Sequence, residues 1–187
     1  IGEMSGGLSY RRDLYEGTAA DYDRFRLGYP ASLLGDLRAR ARFLDGRLLD
    51  LACGTGQIAF ALADDAADVW AVDQEPGSIA FAAAKAERLG VTNVRWIAAS
   101  AEEVPLEGEF DLVAIGSAFH RLDRKAVTGR LMPHLAGDGC IALLWGGSPN
   151  HGDLEWQRTL EAVFQHWMDE LVARERIPEG WEQVLDE

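Results

Sequence analysis

Five short apolar runs, separated by segments of helical character, constrain the fold of this 187-residue chain more than any other feature. The runs lie at 47–52, 69–73, 94–98, 112–116 and 140–145. Apolar runs of this length, without alternating polar residues, are typical of strands buried on both faces of a parallel sheet. Segments that favour helices lie between them, at 57–63, 79–89 and 124–135. This alternation predicts an α/β fold with a doubly wound, mostly parallel sheet and flanking helices.

Two further helices are predicted outside the alternating region. Pro30 suits the first turn of a helix and predicts one that runs through Arg42. A last helix is predicted over 154–176, where Pro178 and Gly180 end it.

A glycine loop follows the first predicted strand and opens the next helix. Gly54 and Gly56 tolerate positive φ and let a ligand approach the backbone, and a helix N-terminus favours an anionic group. With Ala59, the spacing also fits the weaker, alanine-ended form of the dinucleotide-binding fingerprint. Asp50 departs from that fingerprint, because the fingerprint normally has an apolar residue there and buried carboxylates are rare without a partner. A ligand site is therefore predicted at the carboxyl ends of the strands.

The second predicted strand ends in an acid, Asp73, which Gln74 follows. A carboxylate at this strand end accepts hydrogen bonds from ribose hydroxyls in dinucleotide-binding folds. The alternative is that Asp73 caps the next helix. Its occurrence together with Asp50 and the glycine loop favours the ribose interpretation.

The segment Asp50-x-Ala-Cys-Gly-Thr-Gly closely resembles motif I of the class I S-adenosylmethionine (SAM)-dependent methyltransferases. The resemblance implies a Rossmann-like fold with SAM as cofactor and S-adenosylhomocysteine (SAH) as product. It also implies that the loop wraps the amino-acid end of SAM, that Asp73 binds the ribose and that Gln74 lies along the adenosine. The loop residues implied in SAM binding are Asp50, Ala52, Gly54 and Gly56.

Weaker resemblances to the same family extend over residues 20–146. Residues 131–139 look like the family's Leu-x-Pro-Gly-Gly turn before strand five. Ser100 stands after strand three where an Asp of the family commonly receives the adenine amino group, so Ser100 or the Ala101 amide is expected to contact the adenine. The alternative is structural, because Ser100-x-x-Glu103 is also a capping box.

The fourth predicted strand delivers His120 to the expected reaction edge. A side chain with its near-neutral pKa suits removal of a proton from a hydroxyl or amine, so His120 is the candidate catalytic base. The alternative is that His120 begins the helix that contains Asp123 and packs at its end. Related small-molecule methyltransferases commonly have Trp after this histidine, whereas Arg121 stands here. The other histidines show no metal-ligand spacing, and no metal is predicted.

The N-terminal segment contains a pattern, Tyr…Arg-x-x-Tyr-Pro, that resembles a segment lying over the cofactor in many small-molecule members of the family. Tyr22, Arg26 and Tyr29 are expected to close the site, with Arg26 near the SAM carboxylate. The alternative is that these aromatic residues only pack against the domain.

The formal net charge of −13 disfavours nucleic acid as a partner. The segment Ser117-Ala118-Phe119-His120 also differs from the Asn/Asp-Pro-Pro-aromatic motif of nucleic-acid amino methyltransferases. No apolar run approaches the roughly 20 residues of a membrane span, and two cysteines cannot build a disulfide scaffold. These features predict a soluble protein of a reducing cytoplasm, and they leave the oligomeric state open. The resemblance to small-molecule members of the family implies a small-molecule acceptor, with a protein substrate as the open alternative.

Three parts are expected along the chain: an N-terminal lid at 1–29, a SAM-binding core at 30–147 and an acidic helical lid at 148–187. The boundary near 146–149 coincides with a shift in charge, since residues 151–187 hold ten acids and three bases. The family sheet has seven strands, whereas the sequence predicts five. The chain is therefore expected to be truncated before the final antiparallel strands.

The leading hypothesis for function is a SAM-dependent methyltransferase acting on an oxygen or nitrogen nucleophile of a small molecule. A nicotinamide-dependent oxidoreductase using NAD(P) shares the glycine spacing and Asp73 but leaves Asp50 unexplained. A methyltransferase-like protein that binds SAM without turnover is the third hypothesis.

Overall fold

A computed structural model describes residues 15–41, 43–145 and 153–173 of the chain. The described residues divide into two compact units, one ending at Leu144 and the other beginning at Trp145. The predicted boundary at 147/148 lies outside the described residues.

The first unit is built on a five-stranded sheet in which all neighbouring strands are parallel. Its strands are β1 (Arg47–Leu51), β2 (Asp68–Asp73), β3 (Val94–Ala98), β4 (Phe110–Gly116) and β5 (Leu135–Leu144). Their order in the sheet is β3-β2-β1-β4-β5, so successive strands are added on one side of β1 up to β3 and on its other side from β4 onward. The strand order thus reverses between β1 and β4, although the strands stay parallel. The predicted doubly wound α/β fold is confirmed.

Helices cover both faces of this sheet. They are α1 (Ala19–Phe25), α2 (Ala31–Ala41), α3 (Gln57–Leu62), α4 (Pro76–Leu89) and α5 (Arg124–Leu131), with short 3-10 turns at Ala63–Asp65, Phe119–Arg121 and Met132–His134. Leu48 packs into one core cluster with α2 and α3, whereas its neighbour Leu49 packs into a second cluster with α5. Both leucines are fully buried. Burial of each such side chain stabilises the fold by about 1.5–3 kcal/mol.

The region before β5 differs from its prediction. The helix predicted over 124–135 ends at Leu131, because Pro133 has no N–H group to continue the α-helical hydrogen bonds. The turn predicted over 131–139 lies partly inside β5, where Phe110 pairs with Leu135 but Leu112 pairs with Cys140. Residues 136–139 therefore form a bulge in the strand instead of a free turn.

The second unit contains one described helix, α6 (Glu155–Ala173). It agrees with the helix predicted over 154–176 as far as the described residues extend, and Pro178 and Gly180 lie outside them. Within the three described ranges, no helix is long and apolar enough to cross a membrane.

Candidate functional site

A cavity of about 350 Å³ lies at the carboxyl ends of β1–β4, where the strand order reverses. Ligands bind at this position in open parallel sheets. The loop after each of the four strands contributes to the wall, and the segment around α1 contributes Tyr15, Thr18 and Tyr22. Of the residues predicted to bind a cofactor, six line the cavity: Tyr22, Ala52, Gly54, Asp73, Gln74 and Ala101.

The two glycines of the loop after β1 have different structural roles. Gly54 has φ 55°, and a Cβ added to it would meet no atom within 4 Å, so its backbone is open to a ligand in the cavity. Gly56 has φ 82°, and a Cβ there would lie 2.5 Å from the Trp96 ring. Gly56 does not line the cavity. The close approach of a ring beneath the loop, together with positive φ, therefore explains the glycine at 56.

Asp50 is buried beneath the loop, with 1% of its surface exposed, and it does not line the cavity. Its Oδ2 accepts a hydrogen bond of 2.9 Å from the Ala59 N–H in the first turn of α3. Its Oδ1 has no hydrogen-bond partner among the described residues. Burial raises the pKa of Asp50 to about 7, although the Ala59 hydrogen bond opposes this shift. The buried carboxylate fixes the loop to the helix that follows it.

Asp73 joins the loops after β1 and β2 at the cavity wall. Its Oδ2 accepts a hydrogen bond of 2.7 Å from Gly54 N–H, and its Oδ1 accepts one of 2.9 Å from Glu75 N–H. Burial raises the pKa of Asp73, and the two hydrogen bonds oppose that rise. The capping interpretation of Asp73 is wrong, because Glu75 is the N-cap of α4 and accepts a hydrogen bond from Gly77 N–H. Gln74 lies between them and also lines the cavity.

The segment after β3 forms a turn and not a helix. The Ser100 carbonyl accepts hydrogen bonds from the N–H groups of Glu103 and Val104, at 3.2 and 2.9 Å. The capping-box interpretation of Ser100 is therefore wrong, because no helix starts within residues 101–103. Ala101 and Glu102 line the cavity, whereas Ser100 does not. The Glu102 carboxylate also accepts a hydrogen bond of 3.1 Å from Asp123 N–H and so joins this turn to the segment after β4.

The segment after β4 begins with a strained residue. Ser117 has φ 52°, a region that costs a non-glycine residue about 1–2 kcal/mol, and it lines the cavity. Strain of this kind is common at functional sites. Behind Ser117, the Tyr29 hydroxyl packs so closely on Gly116 that a Cβ there would lie 2.1 Å from it. Tyr29 itself does not line the cavity.

His120 lies in the 3-10 turn Phe119–Arg121, close to the cavity but not in its lining. Partial burial lowers the pKa of His120, as do the charges of Arg121 and Arg124. The imidazole is therefore neutral at pH 7, the form that can accept a proton. His120 does not begin the helix near Asp123, because Asp123 is itself the N-cap of α5.

The segment around α1 covers the cavity. Tyr15, Thr18 and Tyr22 lie three and four residues apart and present one face to the cavity. Arg26, by contrast, does not line it, and its guanidinium lies 5.9 Å from the Tyr22 ring centroid. Sequence reasoning missed Tyr15 and Thr18, because they precede α1, in the turn and at the N-cap, and no helical pattern marks them.

The cavity wall is acidic. It includes the carboxylates of Asp73, Glu75 and Glu102, and Arg121 is the one basic residue among the described residues that line it. Sequence reasoning missed Glu75, Glu102 and Arg121 as lining residues. The described ranges contain no group of three or more His, Cys, Asp or Glu residues that could hold a metal ion.

Comparison with known proteins shows that the chain is similar to methyltransferases. Residues 48–139, which contain both the glycine loop and Asp73, match the model of a methyltransferase domain. An uncharacterized methyltransferase of Mycobacterium bovis is 28% identical over 179 residues, which cover 93% of this chain and 69% of that protein.

Solved structures show the same fold. The YcgJ protein of Bacillus subtilis is 29% identical, with a TM-score of 0.54 over 61% of this chain and 50% of its own. The DhpI–SAM–HEP complex is 25% identical, with a TM-score of 0.54 over 69% of this chain and 61% of its own. The chain thus spans about half to two thirds of the length of these proteins.

Proposed function

We propose that the chain is a class I SAM-dependent methyltransferase and that it transfers the methyl group of SAM to an oxygen or nitrogen atom of a small molecule. SAM supplies a methyl group that its positive sulfur already activates. The described residues therefore have three tasks: to bind SAM, to orient the acceptor and to exclude water.

The position of Asp50 is the main observation that favours SAM over NAD(P) as the cofactor. In a dinucleotide-binding fold, the pyrophosphate sits at the N-terminus of the helix after the first strand. Here the Asp50 carboxylate accepts the Ala59 N–H at that helix terminus and places an acid beneath the loop. The Ala59 N–H is therefore already bonded, and this terminus has one donor fewer for a pyrophosphate. SAM has no phosphate, so the same arrangement favours SAM over NAD(P).

The charge of the cavity supports the same choice. Asp73, Glu75 and Glu102 line it together with the single Arg121. SAM carries a positive sulfonium and a positive ammonium group, whereas the pyrophosphate of NAD is negative. An acidic wall attracts the former and repels the latter.

The remaining assignments follow from the loops that line the cavity. Asp73 would bind the ribose hydroxyls with the acceptor sites that Gly54 and Glu75 N–H leave open. Gln74 and Ala101 would lie along the adenosine, and Ala52 and Gly54 along the amino-acid end. An indirect role is proposed for Asp50, Gly56 and Ser100, which would hold the conformation of the loops that contact SAM.

His120 is retained as the proposed base. It is two residues from Ala118 and adjacent to Arg121, both of which line the cavity, and its neutral imidazole can accept a proton from the acceptor. Tyr22 would cover the cofactor, whereas Arg26 would support the Tyr22 ring.

The proposed division of the chain has three parts: a cover at 1–29, the SAM-binding core at 30–147 and an acidic helical segment at 148–187. Both cysteines are free thiols, which supports the reducing cytoplasm as the proposed location. A small-molecule acceptor without nucleic acid remains the proposed partner, on the ground of the acidic cavity and the net charge of −13.

The proposal is tested by screening phenol, carboxylate and amine libraries for SAH release. Release that depends on a phenol or an amine would support methyl transfer to oxygen or nitrogen, and a product carrying one additional methyl group would identify the atom. If the chain binds SAM but no acceptor class yields SAH, the alternative of a non-catalytic SAM-binding protein would replace the proposal.

A further inference from the structure

The helix α1 is held over the cavity without a buried apolar face. None of its seven residues, all within the described part of the chain, is buried. Phe25, its largest apolar residue, is 70% exposed. A surface helix is normally held by an apolar stripe that faces the core. The position of α1 therefore depends on a few side-chain contacts with its neighbours.

One of these contacts ties the C-terminal half of α1 to α4. The Lys85 ammonium lies 2.6 Å from Asp23 Oδ1, and the side chains are only 25% and 19% exposed. Lys85 also lies 4.9 Å from the centroid of the Phe60 ring, which packs on Trp96. This ion pair thus connects α1 to the packed interior beneath the glycine loop.

The second contact holds the N-terminal side of the segment. The Arg121 guanidinium donates a hydrogen bond to the Tyr15 hydroxyl, and its central carbon lies 5.1 Å from the centroid of the Tyr15 ring. Tyr15 in turn packs edge-to-face on Tyr22, with ring centroids 6.4 Å apart. All three side chains line the cavity, and Tyr15 is 41% exposed.

We propose that Arg121 and Tyr15 form a latch that closes the segment 15–26 over the cavity, and that Asp23 and Lys85 form the anchor about which it opens. This inference rests on the proposed function, because the cofactor must enter beneath Tyr15 and Tyr22 and its product must leave. The exposed latch breaks before the half-buried ion pair, since water competes more strongly for an exposed contact. Arg121 is in this view a positioning residue that sets how long the cofactor stays.

Stopped-flow measurement of SAH release tests the latch. Arg121→Ala and Tyr15→Leu are each expected to speed release by about tenfold, since a contact of this type changes mainly the rate of dissociation. The double variant is expected to match the single variants, because both remove the same contact. Lys125→Ala is the control: it removes one positive charge from an exposed position four residues away and should leave release unchanged.

Two results would overturn the latch. One is release from Arg121→Ala and Tyr15→Leu at the rate of the Lys125→Ala control. The other is a double variant whose effect equals the product of the two single effects, which would mean that the side chains act independently.

Hydrogen exchange of the cofactor-free protein separates the latch from the proposed function. Arg121→Ala is expected to speed amide exchange in the segment 15–26 by about tenfold, and Lys125→Ala is not. If wild-type protein bound no SAH, the proposed function would fail while this measurement still decided the latch. Equal amide exchange rates in the segment 15–26 of the two variants would refute the latch.

Discussion

Replacing Asp73 by alanine removes two hydrogen bonds that hold the cavity wall as well as the carboxylate proposed to bind ribose. The N–H groups of Gly54 and Glu75 lose their acceptor. Hydrogen bonds to charged groups contribute about 1.5–3 kcal/mol each, but these amides are only partly buried and can bind water instead. We therefore expect a loss of about 2–3 kcal/mol. At about 2–4 °C per kcal/mol for a chain of this size, Tm should fall by roughly 5–10 °C.

The effect of Asp73→Ala on cofactor binding is expected to be larger than its effect on the loop alone. Two ribose hydroxyls would lose a charged acceptor, at a cost of about 3 kcal/mol in total. Since about 1.4 kcal/mol corresponds to a factor of ten, the Kd for SAH should rise about 100-fold. Asp73→Asn should not rescue the loop, because both carboxylate oxygens accept N–H groups and the new amide must direct its own NH₂ at one of them.

Calorimetry with SAH and thermal denaturation without it measure the two effects separately. Asp36→Ala is the matched control, because it removes an exposed acid whose partner, Arg40, lies on the same helix away from the cavity. An SAH affinity unchanged within about twofold would refute the ribose assignment. A Tm equal to that of Asp36→Ala would refute the role of Asp73 in holding the loop.

Three further predictions concern packing, pH and the proposed base. Gly116→Ala should lower Tm by several degrees, because its Cβ would lie 2.1 Å from the Tyr29 hydroxyl. Gly129→Ala is the control and should not lower Tm, because its Cβ would meet no atom within 4 Å. Equal Tm changes in the two variants would contradict the packing argument. The pKa of Asp50 in the folded protein is about 7, above its ordinary value of 3.8. Between these two values the cofactor-free folded protein retains a proton that the unfolded chain loses. The contribution of Asp50 to stability therefore falls as pH rises from about 4 to about 7. The Tm of Asp50→Asn relative to wild type should therefore be higher at pH 8 than at pH 5, and a constant difference would contradict the shift. His120→Ala should lower kcat by about 10²-fold or more. It should also abolish the acidic limb of the pH–rate profile, which lies below the ordinary histidine pKa of 6.5. An unchanged pH–rate profile would exclude His120 as the base.

The sheet was predictable because each strand contains a mostly apolar run between turn residues, interrupted only by single polar residues such as Asp50 and Arg95. Strands β1 to β4 lie within two residues of their predicted bounds. The start of β5 was not predictable, because Gly137 and Gly139 are typical of a free turn. The structure absorbs residues 136–139 as a bulge, since Leu135 still pairs with Phe110. Tertiary pairing here overrides a local turn preference.

The candidate site was predictable where the type of a single residue and its place at a strand end indicate its role. Asp73 and Gly54 reach the cavity from the ends of consecutive elements, as their positions in the sequence indicated. The reason for Gly56 was not predictable, because it depends on Trp96, a residue of a different strand. The same holds for Glu102, whose contact with the Asp123 N–H joins segments distant in sequence. Such long-range contacts leave no local pattern.

Calorimetric titration of the protein with SAH and, separately, with NAD tests the central claim most directly. The account predicts saturable binding of SAH and none of NAD, because Asp50 already accepts one N–H of the helix terminus that a pyrophosphate needs and the cavity wall is acidic. Binding of NAD without binding of SAH would contradict it.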